Sequence, residues 1–203
     1  MKWYLLENFK NVKRGEISLV RKDESGACIA GIYGQNGSGK TAIIEALVLL
    51  KHCLTGYSLP QDVANYFISC INVDSESARL EFEFAIEDGD SETSYKVVYS
   101  FTLKKAESEK LTKLVICNEK ISYSSKGKDT ATKFVDYIDT DSDTPFVPKA
   151  KYDSLVGKDK TKKTNLLVAK KMAEANTASF IFSQEMHDAI LPGETNSILE
   201  RLA

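Results

Sequence analysis

The sequence predicts an α/β fold, and three observations carry that prediction. Residues 34–41, Gly-Gln-Asn-Gly-Ser-Gly-Lys-Thr, form a glycine-rich loop between an apolar stretch of strand length at 27–33 and a helical stretch at 41–50. Residues 78–140 alternate apolar and polar side chains with the period of two that marks half-buried strands, and from Lys158 onward the composition turns to helix formers. At 203 residues the chain is expected to be a single domain over 1–203. Its parts are a hairpin, loop strand and helix over 1–60, an antiparallel β-block over 78–140 and a helical segment over 158–203.

The loop matches G-x-x-x-x-G-K-[ST], and each residue type has a physical reason to be there. Gly34, Gly37 and Gly39 lack a Cβ, so the backbone can turn left-handed and aim successive N–H groups at phosphate oxygens. Asn36 and Ser38 complete the cradle, and the helix that follows points its unsatisfied amides and positive dipole end at the same anion. Lys40 supplies an ammonium for the β- and γ-phosphates, and Thr41 a hydroxyl for Mg²⁺. These residue types in this order imply a nucleoside triphosphate site with Mg²⁺.

Composition narrows the class. A formal charge of −2 and a pI near 5.8 argue against a strongly basic nucleic-acid-binding module, though not against a local patch. There is no apolar run of about 18 residues, so no membrane-spanning helix is expected. The apolar stretch before Glu7 is too short for a secretory signal. Cysteines at 28, 53, 70 and 117 form no C-x-x-C pair, and only His52 and His187 could join them at a metal; a reduced, cytoplasmic protein is expected.

Along the chain, residues 2–9 and 16–20 read as a hairpin turning at Lys13-Arg14-Gly15, with Ile17 and Leu19 inward. A second turn at Asp23-Glu24-Ser25-Gly26 leads into the loop strand, which makes three strands before the first helix. Apolar residues cover most of that helix, predicting burial on several sides until the 56–60 region ends it. In the β-block, Ala78, Leu80, Phe82, Phe84 and Ile86 face inward, Asp88-Gly89-Asp90 turns the chain, and Tyr95, Val97, Tyr99, Phe101 and Leu103 repeat the pattern. Shorter strands are expected at 114–117, 120–123 and 134–138, all antiparallel because the connections are short. Asp139, Asp141 and Asp143 have calcium-loop spacing, but Thr144 replaces the required Gly and Ala150 the required Glu, so 139–152 reads as an acidic loop. Thr164 or Asn165 can cap a helix ending near Asn176, a second helix is expected over about 179–191, and 197–203 reads as a helix cut off soon after it starts, as in a fragment.

The spelling of the loop resembles the G-x-N-G-S-G-K-[ST] form of ABC-type ATPase heads, including the SMC, RecF and OLD-like groups. Leu6-Glu7-Asn8-Phe9-Lys10-Asn11-Val12 resembles the opening of the same heads, and the order hairpin, loop, helix and inserted β-block is similar too. The resemblance implies a P-loop NTPase fold, the N-terminal lobe of such a head. It also implies ATP-driven pairing of heads as a homodimer with ATP sandwiched between them, hydrolysis that requires a C-terminal lobe, and links to DNA repair or phage defence. The segments that would complete a head are not assigned: Ser154-Leu155-Val156-Gly157 is a distant echo of LSGGQ, and Ile71-Asn72-Val73-Asp74-Ser75-Glu76 is interrupted by a polar residue and lacks an adjacent Glu. Phe180-Ile181-Phe182-Ser183-Gln184 resembles the strand-then-Gln pattern of a Mg²⁺- and water-contacting glutamine, which makes Gln184 a metal candidate, although the helical periodicity around it favours a surface residue of an amphipathic helix.

Two other functions fit parts of the sequence. A small nucleotide or metabolite kinase has this size, but no Arg stands between Arg79 and Arg201 to clamp a transferring phosphoryl group, and no N-K-x-D segment supports a GTPase. A nucleotide-switched DNA-binding or scaffold module is the second. Lys158, Lys160, Lys162, Lys163, Lys170 and Lys171 form either a strip against DNA phosphates or a solvated face.

Overall fold

The computed structural model describes residues 1–20, 30–87, 94–108, 111–126, 133–141 and 156–189. Six strands make one antiparallel sheet: β1 (Trp3–Phe9), β2 (Val12–Ser18), β3 (Ser77–Glu87), β4 (Ser94–Ser108), β5 (Leu111–Lys126) and β6 (Val135–Asp139), in the order β2-β1-β3-β4-β5-β6. The expected hairpin and β-block are therefore a single sheet, joined where Tyr4 pairs with Phe82 and Leu6 with Leu80. Helices α1 (Lys40–Thr55), α2 (Gln61–Ser69), α3 (Lys160–Ala175) and α4 (Gln184–Ala189) complete the described elements.

The alternation read from the sequence sets the packing. Tyr4, Leu6, Leu80, Phe82, Val97, Tyr99, Phe101 and Leu103 are buried on one face of the sheet, while Arg79, Glu81 and Glu83 stand on the other. Tyr4, Phe82 and Phe101 stack at centroid spacings of 5.8 and 6.1 Å, and Tyr99 meets Phe182 edge-on at 5.2 Å. Each fully buried phenylalanine contributes about 1.5–3 kcal/mol of transfer free energy, so this aromatic row holds the sheet against the helices.

Several expectations give way. The hairpin turns at Lys10 and Asn11 rather than at 13–15, and Gly15 pairs with Leu6 inside the ladder. Lys10 takes a left-handed φ of 53° because its backbone is tied on both sides: its N–H donates to the Cys70 carbonyl at 2.6 Å, and Asn72 Nδ2 donates to its carbonyl at 2.6 Å. Asn72, the polar residue between Ile71 and Val73, is thus a tether for the hairpin tip. In the loop strand expected at 27–33, residues 27–29 lie outside the described residues; Ala30–Tyr33 form no strand, and Tyr33 is 94% exposed. A strand needs a ladder partner, and none of the described strands pairs with Ala30–Tyr33; the bridge that β1 makes outside the sheet runs from Phe9 to Ile71.

α1 is longer than expected, and it is buried on one side only. Ala42, Ala46, Leu49, Leu50 and Cys53 face the core, whereas Ile44 and Val48 are exposed. α2 adds a helix to those expected, and Pro60 ahead of Asp62, Val63, Ala64 and Phe67 is its legible start. α3 begins four residues before Thr164, because the Asp159 carboxylate accepts from Thr161 N at 2.8 Å and caps it there; Asn176 stops it as expected. The second C-terminal helix, α4, starts at Gln184 rather than near 179, capped by Ser183, whose hydroxyl accepts from Met186 N at 3.3 Å; residues 190–191 of the expected span lie outside the described residues. The turns at Asp23-Glu24-Ser25-Gly26 and Asp88-Gly89-Asp90, the loop 142–155 and the stretch 197–203 lie outside the described residues.

The strands expected at 114–117 and 120–123 are one strand with a bulge. Ser100 pairs with Lys120 and Thr102 with Cys117, so Asn118 and Glu119 together oppose Phe101, and Asn118 takes a φ of 51°. The extra residue re-aims the alternation: Leu114 and Ile116 face the core before it, Glu119 and Ile121 after it.

Candidate functional site

The glycine-rich loop folds as its residue types dictate. Gly37 and Gly39 sit at φ 82° and 92°, where a side chain is strained, and a Cβ on Gly34 would come within 2.7 Å of Ser38 Oγ. Gly39 starts α1 without a side-chain cap, and the first turn carries no acid, so neither a side-chain acceptor nor a carboxylate occupies the positive end of the helix. Lys40 reaches back along the loop and donates to the carbonyls of Gly34 and Gln35, each at 2.6 Å. Its ammonium is held over the loop by weak, neutral acceptors that a phosphate oxygen would outcompete.

The opposite wall is the hairpin tip, and it escapes sequence reasoning except as part of a family motif. Asn11 Nδ2 donates to the Gly37 carbonyl, and a Cβ on Gly39 would come within 2.8 Å of Val12 Cγ2, so the tip packs directly on the loop. Between them lies a cleft of about 380 Å³ lined by Lys10, Asn11, Asn36, Gly37, Gly39, Lys40, Thr41 and Ala42. Of the predicted residues, Asn36, Gly37, Gly39, Lys40 and Thr41 meet in this cleft; Gly34 and Ser38 do not line it and face each other within the loop. The donor set fits a phosphate chain: two ammonium groups, a hydroxyl, open amides, and glycines where a Cβ would intrude.

Lys10 is drawn into a small polar cluster at the cleft. Its Nζ pairs with Glu45 Oε2 at 2.6 Å and lies 3.4 Å from the Tyr66 hydroxyl, which in turn donates to Glu45 Oε1. Burial works against the Lys10 charge, but the bonds to Glu45 and Tyr66 outweigh it and hold its pKa above the ordinary value. Tyr66 is raised too, chiefly by its bond to Glu45 and then by burial.

Gln184 is not brought to this cleft. It opens α4 and donates to Asp188 Oδ1 at 2.8 Å. The adjoining Phe182–Ser183 backbone packs on Gly56 at the far end of α1, a 16-residue helix about 24 Å long at 1.5 Å per residue. The six lysines do not share one face either: Lys162 faces a cavity with Glu185 and Asp188, and Lys170 donates to the Thr140 carbonyl at 2.6 Å.

A second buried constellation went unseen in the sequence. Glu119, 2% exposed, accepts from the Tyr99 hydroxyl and the Phe180 N–H at 2.7 Å each, from the Ser179 hydroxyl, and from the Ile181 N–H. Desolvation pushes its pKa up despite these donors, and burial pushes the neighbouring Tyr99 and Cys53 well up as well. Every residue from Thr177 to Ser183 is buried, so this carboxylate fastens the segment to the sheet. Among the described residues no group of His, Cys, Asp and Glu is arranged to hold a metal ion, and no helix is long and apolar enough to cross a membrane.

Comparison with known proteins agrees with the loop. The family model described as an AAA domain matches residues 5–192, nearly the whole chain. No curated protein matches it.

Proposed function

We propose that this chain, which belongs to the AAA domain family of P-loop NTPases, binds ATP with Mg²⁺ in the cleft between the glycine-rich loop and the hairpin tip, as the N-terminal lobe of an ABC-, SMC-, RecF- or OLD-like ATPase head. The observation that carries the reading is the convergence on one cleft of Lys40, Thr41, the uncapped start of α1 and, from the facing hairpin, Lys10 and Asn11.

In this reading Lys40 leaves the Gly34 and Gln35 carbonyls for the β- and γ-phosphates, while the amides of residues 37–41 hold the β-phosphate. Thr41 Oγ1 is the Mg²⁺ ligand, and the ion supplies neutralisation of charge on the terminal phosphates. Asn11 occupies the Gly37 carbonyl with a hydrogen bond, which offsets the repulsion between that oxygen and the anion. None of the cleft residues is a carboxylate or imidazole able to activate water, so turnover requires a group from elsewhere. The exposed Ile32, Tyr33, Ile44 and Val48 on the loop and α1 support a partner surface there: a further lobe, or a second head closing over the nucleotide in a homodimer.

Calorimetric titration with Mg·ATP tests the reading. Wild-type protein is expected to bind, and Lys40→Ala to bind at least about tenfold more weakly, since a charge-assisted hydrogen bond contributes about 1.5–3 kcal/mol. Equal affinity in the two proteins overturns the assignment.

A further inference from the structure

We infer that Glu45 sets how strongly the cleft prefers a nucleoside triphosphate to a diphosphate, by holding the Lys10 ammonium in reserve at the site. The inference rests on the nucleotide reading above. Lys10 lines the cleft, yet in the structure its charge is committed to Glu45 at 2.6 Å. Glu45 stands on α1 one turn beyond Thr41, so the pair sits on the metal-ligand side of the cleft, where the terminal phosphate belongs.

The two partners are not equally fixed. Glu45 is held by the Tyr66 hydroxyl on Oε1 and by Lys10 on Oε2, with the Cys70 thiol 3.9 Å from the same oxygen; its side chain is 13% exposed. Lys10, at 29%, has Glu45, a long 3.4 Å bond to the Tyr66 hydroxyl and a loose contact with the Tyr66 ring, 5.7 Å from its centroid. A third phosphate, rich in acceptors and charge, therefore draws Lys10 across while Glu45 stays on Tyr66. A diphosphate lacks that acceptor and leaves the pair intact. Glu45 acts through Lys10 as a positioning residue and touches no substrate; its competition weakens triphosphate binding and leaves diphosphate binding nearly unchanged.

Titrating Mg·ATP and Mg·ADP into wild type, Glu45→Gln, Lys10→Met and the double variant tests this. Gln preserves the shape and an acceptor for Tyr66 but releases Lys10. Glu45→Gln is expected to tighten ATP about three- to fivefold, the scale of a partly exposed ion pair, and to change ADP by less than about twofold. In the Lys10→Met background the same substitution is expected to change ATP by less than about twofold, because no ammonium remains to be freed. Unchanged or weakened ATP binding, equal tightening of ADP, or tightening that persists without Lys10 each overturns the inference; the last two indicate a general charge effect. Should Glu45→Gln fail to fold, Glu45→Asp withdraws the carboxylate by one methylene and is expected to tighten ATP in the same direction by less, with no tightening counting against the inference. Wild type that binds neither nucleotide refutes the site itself and this role with it.

Discussion

The loop at 30–39 and the segment at 177–183 are both short, irregular stretches next to α1, one at each end, and their hydrogen bonding is opposite. The loop is exposed up to Ser38, its helix start has no side-chain cap, and its lysine leans on two carbonyls. The segment is buried throughout and its polar groups are met from inside the protein: Thr177 Oγ1 donates to the Leu114 carbonyl at 2.7 Å, the Thr177 carbonyl accepts from Leu59 N at 3.1 Å, and Ser179 and the next two amides donate to Glu119. Irregular backbone is thus either satisfied internally and structural, or left with open donors and available to a ligand.

A matched pair of glycines breaks this comparison most sharply. Gly56, at φ 66°, would place a Cβ inside van der Waals contact with the Phe182 carbonyl, so Gly56→Ala combines left-handed strain with a backbone clash. A loss of about 3 kcal/mol or more in urea unfolding is expected; less than about 1 kcal/mol would show that the segment is loosely docked.

A pH series on Glu119→Gln gives the intermediate effect. Burial raises the folded pKa of Glu119 above its ordinary value of 4.5, so in the window upward from there the folded state binds more protons than the unfolded. Glu119 therefore contributes its stability below that window and loses it as pH rises through the folded pKa. Unfolding measured from about pH 4 to pH 7 is expected to show the wild-type advantage over Glu119→Gln shrinking with pH; an advantage that grows means that the four donors, not desolvation, govern the group.

The smallest change is expected at the loop. Gly37 has a φ of 82° but nothing within 4 Å of an added Cβ, so Gly37→Ala should cost only the left-handed strain, about 1 kcal/mol in the same assay. A loss as large as that of Gly56→Ala would erase the distinction between the two stretches.

What the sequence made legible follows the same division. The loop was readable because phosphate chemistry demands particular residues at fixed offsets, and Tyr95 to Leu103 because alternation over a long strand admits one inner face. Asn11 and Lys10 were not, since their place depends on a turn two residues long that is anchored by Asn72, 62 positions on from Lys10. The strand before the loop was expected on hydrophobicity alone, and hydrophobicity does not supply a ladder partner. Glu119 read as a polar turn residue between two short strands because alternation cannot reveal a bulge.

That bulge makes β5 sensitive to register rather than to identity. Asn118 is a supernumerary position opposite Phe101. Were β5 to pleat flat there with Asn118 kept in the ladder, Glu119 would swing to the solvent side and leave Tyr99, Ser179 and two amides without an acceptor in the interior, whereas a chain lacking Asn118 keeps Glu119 inward, opposite Phe101. Substitutions along this strand can be absorbed one side chain at a time, whereas a slip of the ladder that irons out the bulge would detach the C-terminal turn from the sheet as a unit.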